Sequence, residues 1–157
     1  MLTGYLLRLP SNVPTELGAL IEPLSVAIHG VRRAALAPGS TALVIGAGAV
    51  GLLTAAMLRV TGASSNIVIC DIEARRVEFA TAHDFADKHF VVPMKRGSTI
   101  EEKLTIARET AASAMQTAGK GPDFGGFDAV FECTGVEACM QTAIYVCEFF
   151  IFFLAPN

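Results

Sequence analysis

The run Leu43-Val-Ile-Gly46-Ala-Gly48-Ala-Val-Gly51-Leu-Leu53 constrains this chain more than any other stretch. Aliphatic and β-branched residues lead straight into Gly-x-Gly-x-x-Gly, and Leu52 to Val60 continue with helical composition. A strand, a tight turn and a helix start therefore follow one another without a spacer. Each glycine has its own task in such a unit. Gly46 permits the turn, Gly48 lets a ligand approach the backbone, and Gly51 lets the helix pack closely on the strand. The positive end of the helix, with the free N–H groups around Ala49 and Val50, then faces outward, where an anion binds well.

A second strand, Asn66-Ile-Val-Ile-Cys70, ends at Asp71, 20 residues beyond Gly51. An acid at that distance accepts hydrogen bonds from ribose hydroxyls, so strand, turn, helix, strand and acid together predict a dinucleotide site. An S-adenosylmethionine domain also pairs a glycine loop with a later acid, but the six-residue glycine spacing favours the dinucleotide. Asp71 would repel a 2′-phosphate, which selects NAD over NADP. Arg75 and Arg76 work against that selection, since an arginine beside the ribose accommodates the phosphate.

The chain of 157 residues fits one domain with a real core. Hydrophobic residues make up 52% and charged residues 17%, a balance suited to a sheet buried on both faces. A net charge of −3 provides no attraction for nucleic acid or an anionic membrane. No charged leader precedes an apolar stretch of signal length, so the expected compartment is the cytoplasm. Cys70, Cys133, Cys139 and Cys147 lack Cys-x-x-Cys spacing and read as small buried hydrophobes in a reducing compartment.

Along the chain, Pro10 and Pro14 point to an extended entry over residues 1–14. A helical stretch begins at Thr15, with Leu24, Ala27, Ile28 and Val31 recurring at helical spacing until Pro38-Gly39. Strands are expected at Thr41–Ile45, Asn66–Asp71, His89–Val92 and Asp128–Glu132. Helices are expected near 49–61, near 73–83 with Val77, Phe79 and Ala80 inward, at Thr99–Thr117, and from Glu137 to Val146. A glycine-rich loop with Pro122 spans Gly119–Gly126. This alternation predicts an α/β fold, a Rossmann-type doubly wound parallel sheet that is incomplete at its carboxyl end. Ligands on such sheets sit beyond the strand ends, where Gly46–Gly51, Asp71 and Thr134-Gly135 fall.

Four segments occur in order: Glu22-Pro-Leu-Ser-Val-Ala-Ile-His29, Gly46-Ala-Gly-Ala-Val-Gly51, Cys70-Asp71 followed by Arg76, and Glu132-Cys-Thr-Gly-Val-Glu137. Together they resemble the medium-chain zinc-dependent dehydrogenases, in the polyol branch of sorbitol, xylitol and arabinitol dehydrogenases. The resemblance covers about residues 3–146. It implies an NAD-binding domain over 41–146, preceded over 1–40 by an entry segment and connecting helix from a catalytic domain. It implies hydride transfer from a polyol secondary alcohol to NAD, with zinc acting as a Lewis acid on the alcohol oxygen. By the same resemblance Gly46, Gly48, Ala49, Val50 and Gly51 form the pyrophosphate loop, Asp71 and Arg76 lie at the adenosine, and Thr134 and Gly135 lie near the middle of the cofactor. Glu22 matches a glutamate at the family's zinc site.

The zinc-supplying cysteine and Gly-His-Glu segment of that family have no counterpart here. His29, His83 and His89 form no ligand pattern with the cysteines. No residue is therefore assigned as catalytic, and zinc is expected in the intact family rather than on this chain. Residues 147–157 depart from the family and form an apolar tail. Phe149–Leu154 reads as a membrane anchor well short of a span, as a fifth strand, or as an unprotected edge. Three functional readings stand side by side: the NAD-binding part of a polyol dehydrogenase, a non-catalytic NAD-binding or subunit-interaction module, and a truncated product without function. In the family, cofactor domains commonly make the oligomer contacts, so a homo-oligomer through this domain is one implied partner.

Overall fold

The computed structural model describes residues 8–64, 66–119 and 124–154. Part of the expected entry segment, and Pro122 in the expected 119–126 loop, lie outside the described residues. In chain order the elements are α1 (Thr15–Gly18), α2 (Ile21–Ala34), β1 (Thr41–Ile45), α3 (Ala49–Val60), β2 (Asn66–Asp71) and α4 (Ala74–Ala82). There follow β3 (Lys88–Val91), α5 (Ile100–Ala118), β4 (Phe127–Glu132), α6 (Glu137–Val146) and β5 (Cys147–Phe153).

The strands form one five-stranded sheet, all parallel, in the order β3-β2-β1-β4-β5. The chain runs outward from β1 to β3, then returns to add β4 on the other side of β1. That reversal is the topological switch point of a doubly wound sheet.

Alternation along the strands explains the two layers. Ala42 and Val44 of β1, with Ile67 and Ile69 of β2 and Ala129 and Phe131 of β4, face a core closed by Val31, Leu58 and Val77. Leu43, Ile45, Val68, Cys70 and Val130 face the other way, against Ala111 and Ala114 of α5 and Ala143 and Val146 of α6. Successive strand residues point to opposite faces, so strands covered on both sides read as unbroken apolar runs. The alanines of α5 let a long helix lie close to the sheet.

Element ends follow local chemistry. Thr99 accepts from the Glu102 N–H at 3.2 Å, and the Glu102 carboxylate returns to the Thr99 N–H, a full capping box at the start of α5. We predict that Thr99→Ala removes about 1 kcal/mol of stability. At this chain length that is a melting point roughly 2–4 °C lower by calorimetry.

Three details differ from the expectations. The helical stretch from Thr15 is split, with Ala19 and Leu20 separating α1 from α2. β3 lies one residue earlier than expected. Phe79 does not point inward: it is 45% exposed and packs at 4.2 Å between centroids on His83, with Phe85 beyond. Val77 and Ala80, three apart, already fill the inner face of α4, and Phe79 falls off that stripe.

The stretch after Val146 forms a strand in the same sheet. β5 runs parallel to β4 from Phe127↔Cys147 to Glu132↔Phe153, with an irregularity before Ala129↔Phe150. Phe152 stacks on Phe131 at 5.3 Å, and Ile151 packs into the opposite core. Two of the three readings of the tail thus coexist. It is a fifth strand, and its outer edge leaves Phe149 62%, Phe150 53% and Phe153 55% exposed. Among the described residues no helix is long and apolar enough to cross a membrane.

Candidate functional site

The carboxyl ends of β1, β2 and β4 meet at the switch point, and three loops converge there. The first is the glycine turn. Gly46 has φ +101°, a conformation that L side chains rarely adopt, and its N–H donates to the Cys70 carbonyl at 2.7 Å. A Cβ at Gly51 would lie 1.8 Å from the Gly46 carbonyl oxygen, so the first turn of α3 sits directly on the turn it leaves. A Cβ on Gly48, by contrast, meets nothing within 4 Å. Gly46 and Gly51 thus sit in the tight surroundings of a turn and a close helix–strand contact, and Gly48 stands in open space.

Gly48 is the N-cap of α3, and its carbonyl accepts the first helical bond, from the Leu52 N–H at 2.9 Å. The N–H groups of Ala49, Val50 and Gly51 therefore have no intrahelical acceptor. Ala49 is exposed and Val50 half-buried at that end. An anion placed beyond Gly48 meets both these donors and the positive end of the helix.

Asp71 forms the second loop. Its Oδ2 accepts from the Ala47 N–H at 2.7 Å and its Oδ1 from the Glu73 N–H at 2.9 Å. The carboxylate thus ties the glycine turn to the start of α4. A carboxylate has about four acceptor positions, so two remain for hydroxyls of a ligand. Arg75 and Arg76 follow on the exposed side of the first turn of α4.

The third loop is Cys133–Val136. Thr134 and Gly135 are exposed, and the Thr134 methyl lies 2.7 Å from where a Gly46 Cβ would stand. The loop is built around Glu132, which is fully buried. Glu132 accepts from the Thr134 N–H at 2.8 Å, from the Gly135 N–H at 3.0 Å, and from the Thr134 hydroxyl. The sequence reading passed over Glu132 as a site residue. The available signal was a carboxylate ending a strand of buried residues, followed by Thr-Gly.

Of the other expected residues, Glu22 is exposed in the first turn of α2. Among the described residues no group of three or more His, Cys, Asp and Glu side chains is placed to hold a metal ion. The cysteines are free, and burial pushes the Cys70 and Cys139 thiols up and the Cys133 thiol up to about 12. Neutral buried thiols are poor metal ligands and poor nucleophiles. These residues fit a dinucleotide and do not fit a catalytic zinc.

No protein-family model matches the chain. Individual proteins do. Sorbitol dehydrogenase of Gallus gallus is 36% identical over 144 residues, covering 90% of this chain and 35% of that protein. D-xylulose reductase of Saccharomyces cerevisiae is 36% identical over 146 residues, covering 92% of this chain and 36% of that protein. A solved structure from Sinorhizobium meliloti, assigned as a zinc-binding dehydrogenase and bound to NADP, superposes with a TM-score of 0.73 at 22% identity. It covers 95% of this chain and 39% of its own. The chain thus spans about a third of the length of the relatives it matches. Over that span it is similar to the medium-chain zinc dehydrogenases, on the side of the sorbitol dehydrogenases and D-xylulose reductases.

Proposed function

We propose that this chain is the NAD-binding part of an oxidoreductase that moves a hydride from a polyol secondary alcohol to NAD. The observation that carries the reading is the convergence of the Gly46–Gly51 turn, Asp71 and the Thr134-Gly135 turn at the switch point of the sheet. In this reading Gly48, Ala49, Val50 and Gly51 hold the pyrophosphate at the helix end. The free acceptor positions of Asp71 take the adenosine ribose hydroxyls, and Arg76 flanks the adenosine. Thr134 and Gly135 border the middle of the cofactor. NAD, when bound, supplies the hydride acceptor. Glu22 is proposed as the family's zinc-site glutamate. The cytoplasm is proposed as the compartment.

The open surroundings of Gly48 separate binding from folding. Gly48→Ala is expected to lower the melting point by no more than roughly 2–4 °C, since it meets no clash and costs only the poorer N-cap, about 1 kcal/mol. It is expected to weaken NAD at least tenfold in calorimetric titration, because the added methyl occupies the space left for the phosphate. Unchanged NAD affinity would place the pyrophosphate elsewhere.

A second reading, a non-catalytic NAD-binding or subunit-interaction module, is favoured by the missing metal group among the described residues and by the open edge of β5. Phe150→Lys puts a charge on that edge and is expected to lower any concentration-dependent self-association seen by light scattering. Polyol-dependent NAD reduction by the purified chain, with zinc added, would reject the non-catalytic reading.

A further inference from the structure

Glu132 is a fully buried carboxylate at the carboxyl end of β4, one strand from the glycine turn. Buried carboxylates are costly unless their acceptor positions are filled. Here all the donors come from the next turn of the chain: two backbone N–H groups and one hydroxyl. The Thr134 hydroxyl in turn accepts from the Val136 N–H at 3.0 Å, so its own hydrogen is directed at Glu132. The result is a hydrogen-bonded loop whose Thr134 methyl occupies the space where a side chain on Gly46 would stand. Gly46 is also held from the other side, through its N–H to the Cys70 carbonyl. The crevice between β1 and β4 thus has one wall anchored by Asp71 and the other by Glu132.

We propose that Glu132 is a positioning residue for the half of the dinucleotide that lies over β4. This rests on the dinucleotide reading above and deepens it. A dinucleotide bridges the crevice at the switch point. The Asp71 wall serves the adenosine half. Glu132 touches no ligand; it sets the place of the Thr134-Gly135 turn, and through the Thr134 methyl the place of Gly46, against which the other half rests. A glutamine at this position keeps the shape but turns one acceptor into a donor. One N–H of the turn then faces an N–H, and the loop moves away.

The test compares ligands that reach different distances. The wild-type chain of 157 residues and its Glu132→Gln variant are titrated calorimetrically with NAD and with AMP, which carries only the adenosine half. Glu132→Gln is expected to raise the NAD Kd at least tenfold while changing the AMP Kd less than twofold. Amide hydrogen exchange is the second readout. Exchange at Thr134 and Gly135 is expected to speed up in the variant while Ala129–Phe131 stay protected. Equal losses of NAD and AMP, or faster exchange throughout β4, would make Glu132 a general structural residue and overturn the proposal. An unaltered NAD Kd would overturn it as well. A wild-type chain that binds neither ligand would instead remove the dinucleotide reading, and this role with it.

Discussion

Gly51→Ala is expected to abolish NAD binding and to lower the melting point by roughly 6–12 °C, the shift that about 3 kcal/mol produces in a chain of this size. The methyl has nowhere to go. It would stand 1.8 Å from the Gly46 oxygen and 2.9 Å from the Gly46 carbonyl carbon, both backbone atoms. Relief requires α3 to lift from β1, which moves the N–H groups at the helix start away from the ligand. It also loosens Ala55 and Leu58, both fully buried in the core that α3 covers. Thermal unfolding and NAD titration on the same sample check both parts. A variant that melts like wild type would mean that α3 does not rest on this turn.

Asp71→Ala is expected to weaken NAD by about a hundredfold, the loss of two charge-assisted hydrogen bonds of at least ~1.5 kcal/mol each. It should also narrow the preference for NAD over NADP, because the carboxylate that repels a 2′-phosphate is gone while Arg75 and Arg76 remain. Stability falls less than in Gly51→Ala. The Glu73 N–H is exposed and turns to water, while the Ala47 N–H, at a residue only 1% exposed, is left without its acceptor and carries most of the stability loss. Parallel titrations with NAD and NADP decide the point. Unchanged NAD affinity would reduce Asp71 to a tie between the glycine turn and α4.

Much of this architecture was legible in the residues. The buried strands β1 and β2 announce themselves as aliphatic runs because both faces are covered, and their ends coincide with the residues expected. Shorter elements slipped: β3 is an edge strand of half-buried residues, so its boundary carries little hydrophobic contrast. Phe79 misled because an aromatic residue looks like core, whereas α4 has room inward only for Val77 and Ala80. The glycine turn and Asp71 were legible because their spacing reflects backbone geometry. Glu132 was marked only as a carboxylate ending an apolar strand, since a Glu-Cys-Thr-Gly string does not itself tell that the carboxylate turns back to gather the N–H groups ahead of it. The tail stayed open among three readings for a related reason. A run of phenylalanines fits any apolar surroundings, and only the register against β4 selects the strand.

The pairing of β5 at the sheet edge brings the end of the described chain back to α2. Leu154, which follows β5, fills the space at Gly30 of α2: a Cβ there would lie 2.8 Å from its side chain. Roughly 120 residues separate the two, and closing a loop that long from an open chain costs about 4 kcal/mol in entropy. A single leucine cannot offset that by itself. The seam between α2 and the residue after β5 therefore closes only after the intervening strands have shortened the loop. It acts as a late latch, slowing unfolding more than it speeds folding.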